Sequence, residues 1–203
     1  MPAVVDRAGR LVPPLSPSTP CWGNPLTRAI GRAALRLFRW RLVGTIPDVP
    51  KLVAIAAPHT CTLDVLIGLA VLLALGARVR FLAKHTIFRG PVGRVLRWLG
   101  GIPVDRTAPG GLVGQVVGRM RESDRFYLAL APEGTRRKVD RWKTGFYRIA
   151  LAAGVPILPV ALDYRRRVAE IGLPLVPSGD YEADLARLRT HFCAQMARHP
   201  ERY

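Results

Sequence analysis

Acidic side chains are scarce in this 203-residue chain, which carries 14 Asp and Glu against 31 Lys and Arg for a formal net charge of +17. That imbalance calls for a partner or surface of negative charge, with nucleic acid and anionic lipid the two usual forms. Cysteine is scarce too: Cys21, Cys61 and Cys193 are odd in number and far apart, with no CxxC or Cys/His spacing. They supply neither a disulfide framework nor a metal-ligand set, and a reducing compartment is expected. Long apolar runs are missing. The longest uncharged one, Val65–Ala77, falls short of the ~20 residues a helix needs to cross a bilayer. No charged segment followed by an apolar stretch opens the chain, and residues 1–23 contain five prolines, so no secretory signal is expected. Internal repeats are absent, as are a helix-turn-helix, an RNA-binding aromatic pair and a zinc motif, so no motif supports a noncatalytic binding protein driven by charge.

What is present suffices for one core, since 49% of the residues are apolar and the length fits one ordinary domain. Residues 1–23, rich in Pro and Ser, read as a flexible or extended arm. Residues 24–50 read as an amphipathic helix and linker, and residues 51–203 as the main domain. Asn24 is a natural N-cap and Pro25 suits the first helical position of a segment reaching about Val43. Leu26, Ile30, Ala33, Ala34, Leu37 and Trp40 form its apolar stripe, opposed by Arg28, Arg32, Arg36, Arg39 and Arg41. Such a helix either docks on the core or lies in a membrane interface with Leu37, Phe38 and Trp40 in the acyl boundary; the sequence leaves both open.

Beyond residue 51, short apolar runs alternate with helical patterns. Leu52–Ala57, Arg78–Ala83, Ile102–Val104, Phe126–Ala131 and Ile157–Leu162 suit buried strands. Leu63–Leu75, Pro91–Leu99, Gly111–Glu122, Thr144–Ala153 and Tyr181–Arg198 suit helices. The alternation predicts an α/β domain around a mostly parallel central sheet flanked by helices.

In such a sheet, reactive groups gather where strands give way to helices, and three of these junctions stand out. The first is Pro58 to Asp64. Five residues along a continuous helix rotate by about 500°, so His59 must precede the helix and Asp64 sit in its first turn if their side chains are to meet. Thr60 or Thr62 can cap the helix start. A carboxylate bonded to one imidazole nitrogen fixes the tautomer and frees the other to take a proton from a hydroxyl. Alternatively, His59 caps the helix and Asp64 answers its dipole. The second junction, Gly100 to Arg106, ends in an Asp-Arg pair whose guanidinium suits phosphate oxygens or a structural ion pair. The third, Ala131 to Arg136, gathers a carboxylate, a flexible turn, a hydroxyl and a guanidinium. With Arg137 and Lys138 it can hold an anionic headgroup, or be an ordinary charged turn. Glu133 there can orient a substrate hydroxyl or brace Arg106. Val155 to Val160 offers an apolar wall for an acyl chain, or core packing.

Taken in order, these blocks resemble the lysophospholipid acyltransferase family, which includes 1-acylglycerol-3-phosphate acyltransferases. His59 and Asp64 match its HxxxxD block, Gly101 to Arg106 its second block, Glu133 to Arg136 its EGTR block, and Val155 to Val160 its Pro-containing fourth block. The resemblance covers roughly residues 51–164. It implies a glycerolipid acyltransferase fold and direct attack of an acceptor hydroxyl on an acyl thioester, without an acyl-enzyme intermediate. It also implies His59 as base and Asp64 as its orienting partner. Glycerol-phosphate binding is carried over to Arg106, Glu133, Gly134, Thr135 and Arg136, with Lys84 as a further basic position.

On that reading the donor is acyl-CoA or acyl carrier protein, used as substrate, with no bound cofactor or metal. The partner is an anionic lysophospholipid, most directly 1-acylglycerol-3-phosphate giving phosphatidic acid in phospholipid biosynthesis, and not nucleic acid. The expected location is the cytoplasmic face of a membrane, peripheral or monotopic. Two other readings remain: a noncatalytic binder of anionic lipid or nucleic acid driven by charge, and a thioesterase-like hydrolase using Cys61 beside His59.

Overall fold

Successive side chains of a strand point to opposite faces, so a strand covered on both sides must be apolar throughout. Lys51–Ala57 (β2) is such a strand: Val53, Ile55 and Ala57 enter one core and Leu52 the other, each no more than 1% exposed. The computed structural model describes residues 13–104 and 111–203. Besides β2 it contains Arg41–Val43 (β1), Val79–Lys84 (β3), Gly101–Val104 (β4), Phe126–Leu130 (β5), Ile157–Asp163 (β6) and Val168–Ile171 (β7). They form one sheet in the order β1-β7-β6-β2-β5-β3-β4. All neighbours run parallel except β6 and β7, which are antiparallel. The α/β architecture with a mostly parallel central sheet is as expected. Pro103 sits in β4, which among the described residues is an edge strand with β3 as its one neighbour, where a missing backbone N–H is tolerated.

Helices Pro25–Leu37 (α1) and Leu63–Leu75 (α2) share the core on one face, where Leu35, Ile67, Val71 and Leu75 meet Leu52, Tyr127 and Leu158. Gly90–Trp98 (α3) links β3 to β4. Helices Gly111–Glu122 (α4), Gly145–Ala153 (α5) and Tyr181–Arg189 (α6) share the other core, through Val116, Met120, Ile149, Leu185 and Leu188. α1 and α2 cross at backbone contact: a Cβ on Gly31 would stand 2.2 Å from the Ala74 nitrogen, so only glycine fits.

Asn24 caps α1 as expected, exchanging bonds with Thr27 in a capping box, with Pro25 in the first turn. The helix stops at Leu37 and does not run to Val43. Arg39 takes a left-handed backbone (φ 57°), the Trp40 N–H bonds back to the Leu35 carbonyl (2.8 Å), and Trp40 is turned into the core. Arg41–Val43 then runs out as β1. The closing helix likewise ends at Arg189, short of Arg198, because Phe192 turns inward to stack edge-on against Trp142 (5.5 Å). β7 has no counterpart in the sequence reading.

Residues 13–23 do not behave as a free arm. Thr19 is wholly buried near the Tyr127 hydroxyl (3.4 Å), and the Ser16 hydroxyl donates to the Ile46 carbonyl (2.7 Å). Trp22 N–H donates to the Gly76 carbonyl (2.8 Å), and the Trp22 ring meets Trp98 edge-on (4.6 Å). The strap has no periodicity because it bonds in turn to unrelated partners and never lays one face on a single surface.

Candidate active site

β2 lies between β5 and β6, and all three run the same way. Their carboxyl ends are therefore adjacent, and the loops leaving them touch one another at the end of the sheet where open α/β folds bind ligands. His59 follows β2, Glu133 to Arg136 follow β5, and Tyr164 directly follows β6.

His59 precedes α2 and Asp64 lies in its first turn, the arrangement that the five-residue offset requires. His59 Nδ1 is 3.2 Å from Asp64 Oδ2. That oxygen also accepts the backbone N–H groups of Thr60 (2.8 Å) and Cys61 (2.9 Å), so the carboxylate itself ties down the turn ahead of the helix. Neither threonine caps α2: the Thr62 side chain makes no capping bond, and the buried Thr60 Oγ1 has no partner among the described residues. Asp64 Oδ1 accepts from the Tyr164 hydroxyl (2.5 Å) and the Cys61 thiol (3.1 Å). Burial opposes the charge on Asp64, yet the bonds from His59, Tyr164 and Cys61 outweigh it and hold the carboxyl down to about 2. A carboxylate so held stays ionised beside the imidazole.

Glu133 is buried, and its Oε1 accepts the His59 backbone N–H (3.1 Å), while Oε2 has no partner among the described residues. Burial pushes its carboxyl up to about 7, only partly offset by the bond from His59. It braces the loop that carries the imidazole; neither of its oxygens is directed into solvent. Gly134 takes a left-handed backbone (φ 65°) beneath the Lys143 side chain, which a Cβ there would strike at 2.7 Å. Arg136 Nη1 bonds to the Thr62 hydroxyl, bringing the β5 loop onto the β2 loop. Thr135 Oγ1 accepts weakly from the Arg137 N–H (3.4 Å). Lys84 ends β3 at the same edge of the sheet; its side chain, and all of Arg106, lie outside the described residues.

The structure therefore brings together His59, Asp64, Glu133, Thr62 and Arg136, and adds Tyr164, which no local pattern marks. The arrangement can deprotonate a hydroxyl at the free imidazole nitrogen, and the Arg136 guanidinium lies on the Thr62 hydroxyl of the same loop.

A family model described as Acyltransferase matches residues 44–163. The chain is similar to the 1-acyl-sn-glycerol-3-phosphate acyltransferase of Escherichia coli (strain K12), 39% identical over 87 residues that cover 39% of this chain and 35% of that enzyme. The match thus spans about a third of that relative's length. The fold is shared with the crystal structure of the 1-acyl-sn-glycerophosphate (LPA) acyltransferase PlsC from Thermotoga maritima, with a TM-score of 0.59, 22% identity, and coverage of 82% of this chain and 74% of that one.

Proposed function

The chain belongs to the acyltransferase family, and from that premise we propose that it moves a fatty acyl group from an acyl thioester to the hydroxyl of a lysophospholipid, 1-acylglycerol-3-phosphate above all. The observation that carries this reading is the 3.2 Å contact between His59 Nδ1 and an ionised Asp64. It leaves Nε2 to take the proton as the acceptor oxygen attacks the thioester carbonyl carbon. Asp64 stabilises the imidazolium that forms, and the C–S bond then breaks with the proton returned to the departing thiol. Base assistance of this kind contributes roughly 10²- to 10⁴-fold in rate. Arg136, with Lys84 and Arg106, is assigned to the phosphate.

The lipid is reached from a membrane surface. Leu26, Ile30 and Leu37 of α1, Phe38 at its C-cap, and Val65 and Leu66 of α2 are large, apolar and exposed, and α1 packs on α2. Val65 and Leu66 follow the buried Asp64 in α2 and are themselves exposed. The arginines of α1 suit lipid phosphates. No described helix is long and apolar enough to cross a membrane, which fits peripheral docking. Acyl-CoA and acyl carrier protein are donors of the cytoplasm, hence the cytoplasmic face.

Purified protein is to be assayed on vesicles containing 1-acylglycerol-3-phosphate or other lysolipids, with each donor, alongside His59→Ala. Ester formed on 1-acylglycerol-3-phosphate and lost in folded His59→Ala is the expected result. Undiminished transfer by that variant, or lipid binding with no transfer to any acceptor, overturns the reading.

A further inference from the structure

Among the described residues, the three donors to Asp64 Oδ2 all come from its own loop: His59 Nδ1 and the N–H groups of Thr60 and Cys61. Oδ1 takes the local Cys61 thiol and one distant group, the Tyr164 hydroxyl, 100 residues along the chain. We propose that Tyr164 is a positioning residue for the His59–Asp64 pair, fixing the plane of the Asp64 carboxylate so that Oδ2 stays on the imidazole. The inference rests on the acyltransferase reading above and extends it to a residue outside the four motif blocks.

The geometry favours this assignment in three ways. At 2.5 Å the contact has the length of a charge-assisted O–H···O⁻ bond, the stronger kind. The ring is itself seated: Trp40 packs edge-on against it at 5.0 Å, and the Tyr164 N–H donates to the Met196 carbonyl (2.8 Å). Burial and the Asp64 charge drive the phenol far above its usual range, so it remains a donor wherever the enzyme works. The Cys61 thiol is the weaker donor and lies 3.5 Å from the same hydroxyl. Without the phenol, the carboxylate plane is fixed by its own loop alone.

Two effects follow from losing the hydroxyl. The carboxylate plane loosens, and displacements of about 1 Å in such sites cost on the order of 100-fold in rate. The carboxylate also loses a donor that shares its charge, so it holds the imidazolium more tightly. Among the described residues, the groups bonded about the pair are Cys61, Glu133 and Tyr164, with Arg136 on Thr62; of these only Tyr164 changes in Tyr164→Phe.

Full-length wild type, Tyr164→Phe, Trp40→Leu and His59→Ala are compared for kcat, KM and the pH profile of kcat on lysolipid vesicles. Tyr164→Phe keeps the ring and its Trp40 contact. It is expected to lower kcat roughly 10- to 100-fold with both KM values unchanged, and to move the acid limb of the profile to higher pH. Trp40→Leu is expected to lower kcat by less, with the limb unmoved. Because the folded fraction itself changes with pH, kcat is referred at each pH to the folded fraction read by circular dichroism, so the limb decides even for a partly unfolded variant. If His59→Ala is inactive while Tyr164→Phe has the wild-type kcat and limb, the inference is overturned and the acyltransferase reading stands. An active His59→Ala overturns the reading itself.

Discussion

Replacing Glu133 with glutamine turns its buried charge into a stability measurement. In the folded chain the Glu133 carboxyl titrates at about 7 against an ordinary 4.5, chiefly because burial penalises the anion. The folded state thus binds this proton more tightly than the unfolded state does. The wild type therefore loses stability as pH rises from about 4.5 through about 7, and no further above that. At 1.36 kcal/mol per pH unit the loss amounts to about 3 kcal/mol. The amide introduced by Glu133→Gln resembles the protonated acid: its carbonyl can accept the His59 N–H, and it has no charge to titrate. Urea unfolding of both proteins at pH 5, 6, 7 and 8 should show wild type and Glu133→Gln diverging in favour of the variant across that interval. Curves that stay parallel from pH 5 to pH 8 would refute the reasoning. If Glu133 acts by bracing the His59 loop, Glu133→Gln should also keep transfer within about tenfold of wild type, whereas Glu133→Ala, which leaves a buried N–H unpaired, should lose more.

Asp64→Asn should lower kcat roughly 10²- to 10⁴-fold. It should also remove the opposite linkage: a carboxyl held at about 2 stabilises the wild type above pH 3.8 and loses that stabilisation, about 2 kcal/mol, as pH falls towards 2. Acid unfolding followed by circular dichroism checks the second part. Arg136→Ala should raise KM for the phosphate-bearing acceptor by roughly 10-fold, the scale of one charge-assisted bond, with the donor's KM unchanged. Gly31→Ala should destabilise by about 1–3 kcal/mol, because its methyl meets the α2 backbone and α1 must shift; thermal unfolding reads this.

Much of the frame was legible one residue at a time. The apolar runs of β2, β5 and β6 read as buried strands, Asn24 and Pro25 marked a helix start, and the rotation between His59 and Asp64 placed one before the helix and the other on it. What escaped depends on neighbours in space. Tyr164 follows an ordinary strand, and it reaches Asp64 only because β6 pairs with β2. Arg136 meets Thr62 only because β5 flanks β2 on the other side. Glu133 has the look of an exposed headgroup ligand in the motif, but its place behind His59 buries it. The strap at residues 13–23 was illegible because its bonds are individual and aperiodic.

The pairing of β2 with β6 sets Ala57 opposite Ala161, three residues before Tyr164. Because side chains alternate along a strand, a slip of one residue would turn Tyr164 to the opposite face and leave Asp64 Oδ1 without it. For chimeras built from relatives of this chain, that defines a reading frame in space: β2 and β6 should be exchanged together. A single-residue insertion in β6 can preserve every motif block in the sequence and still misalign the reacting pair.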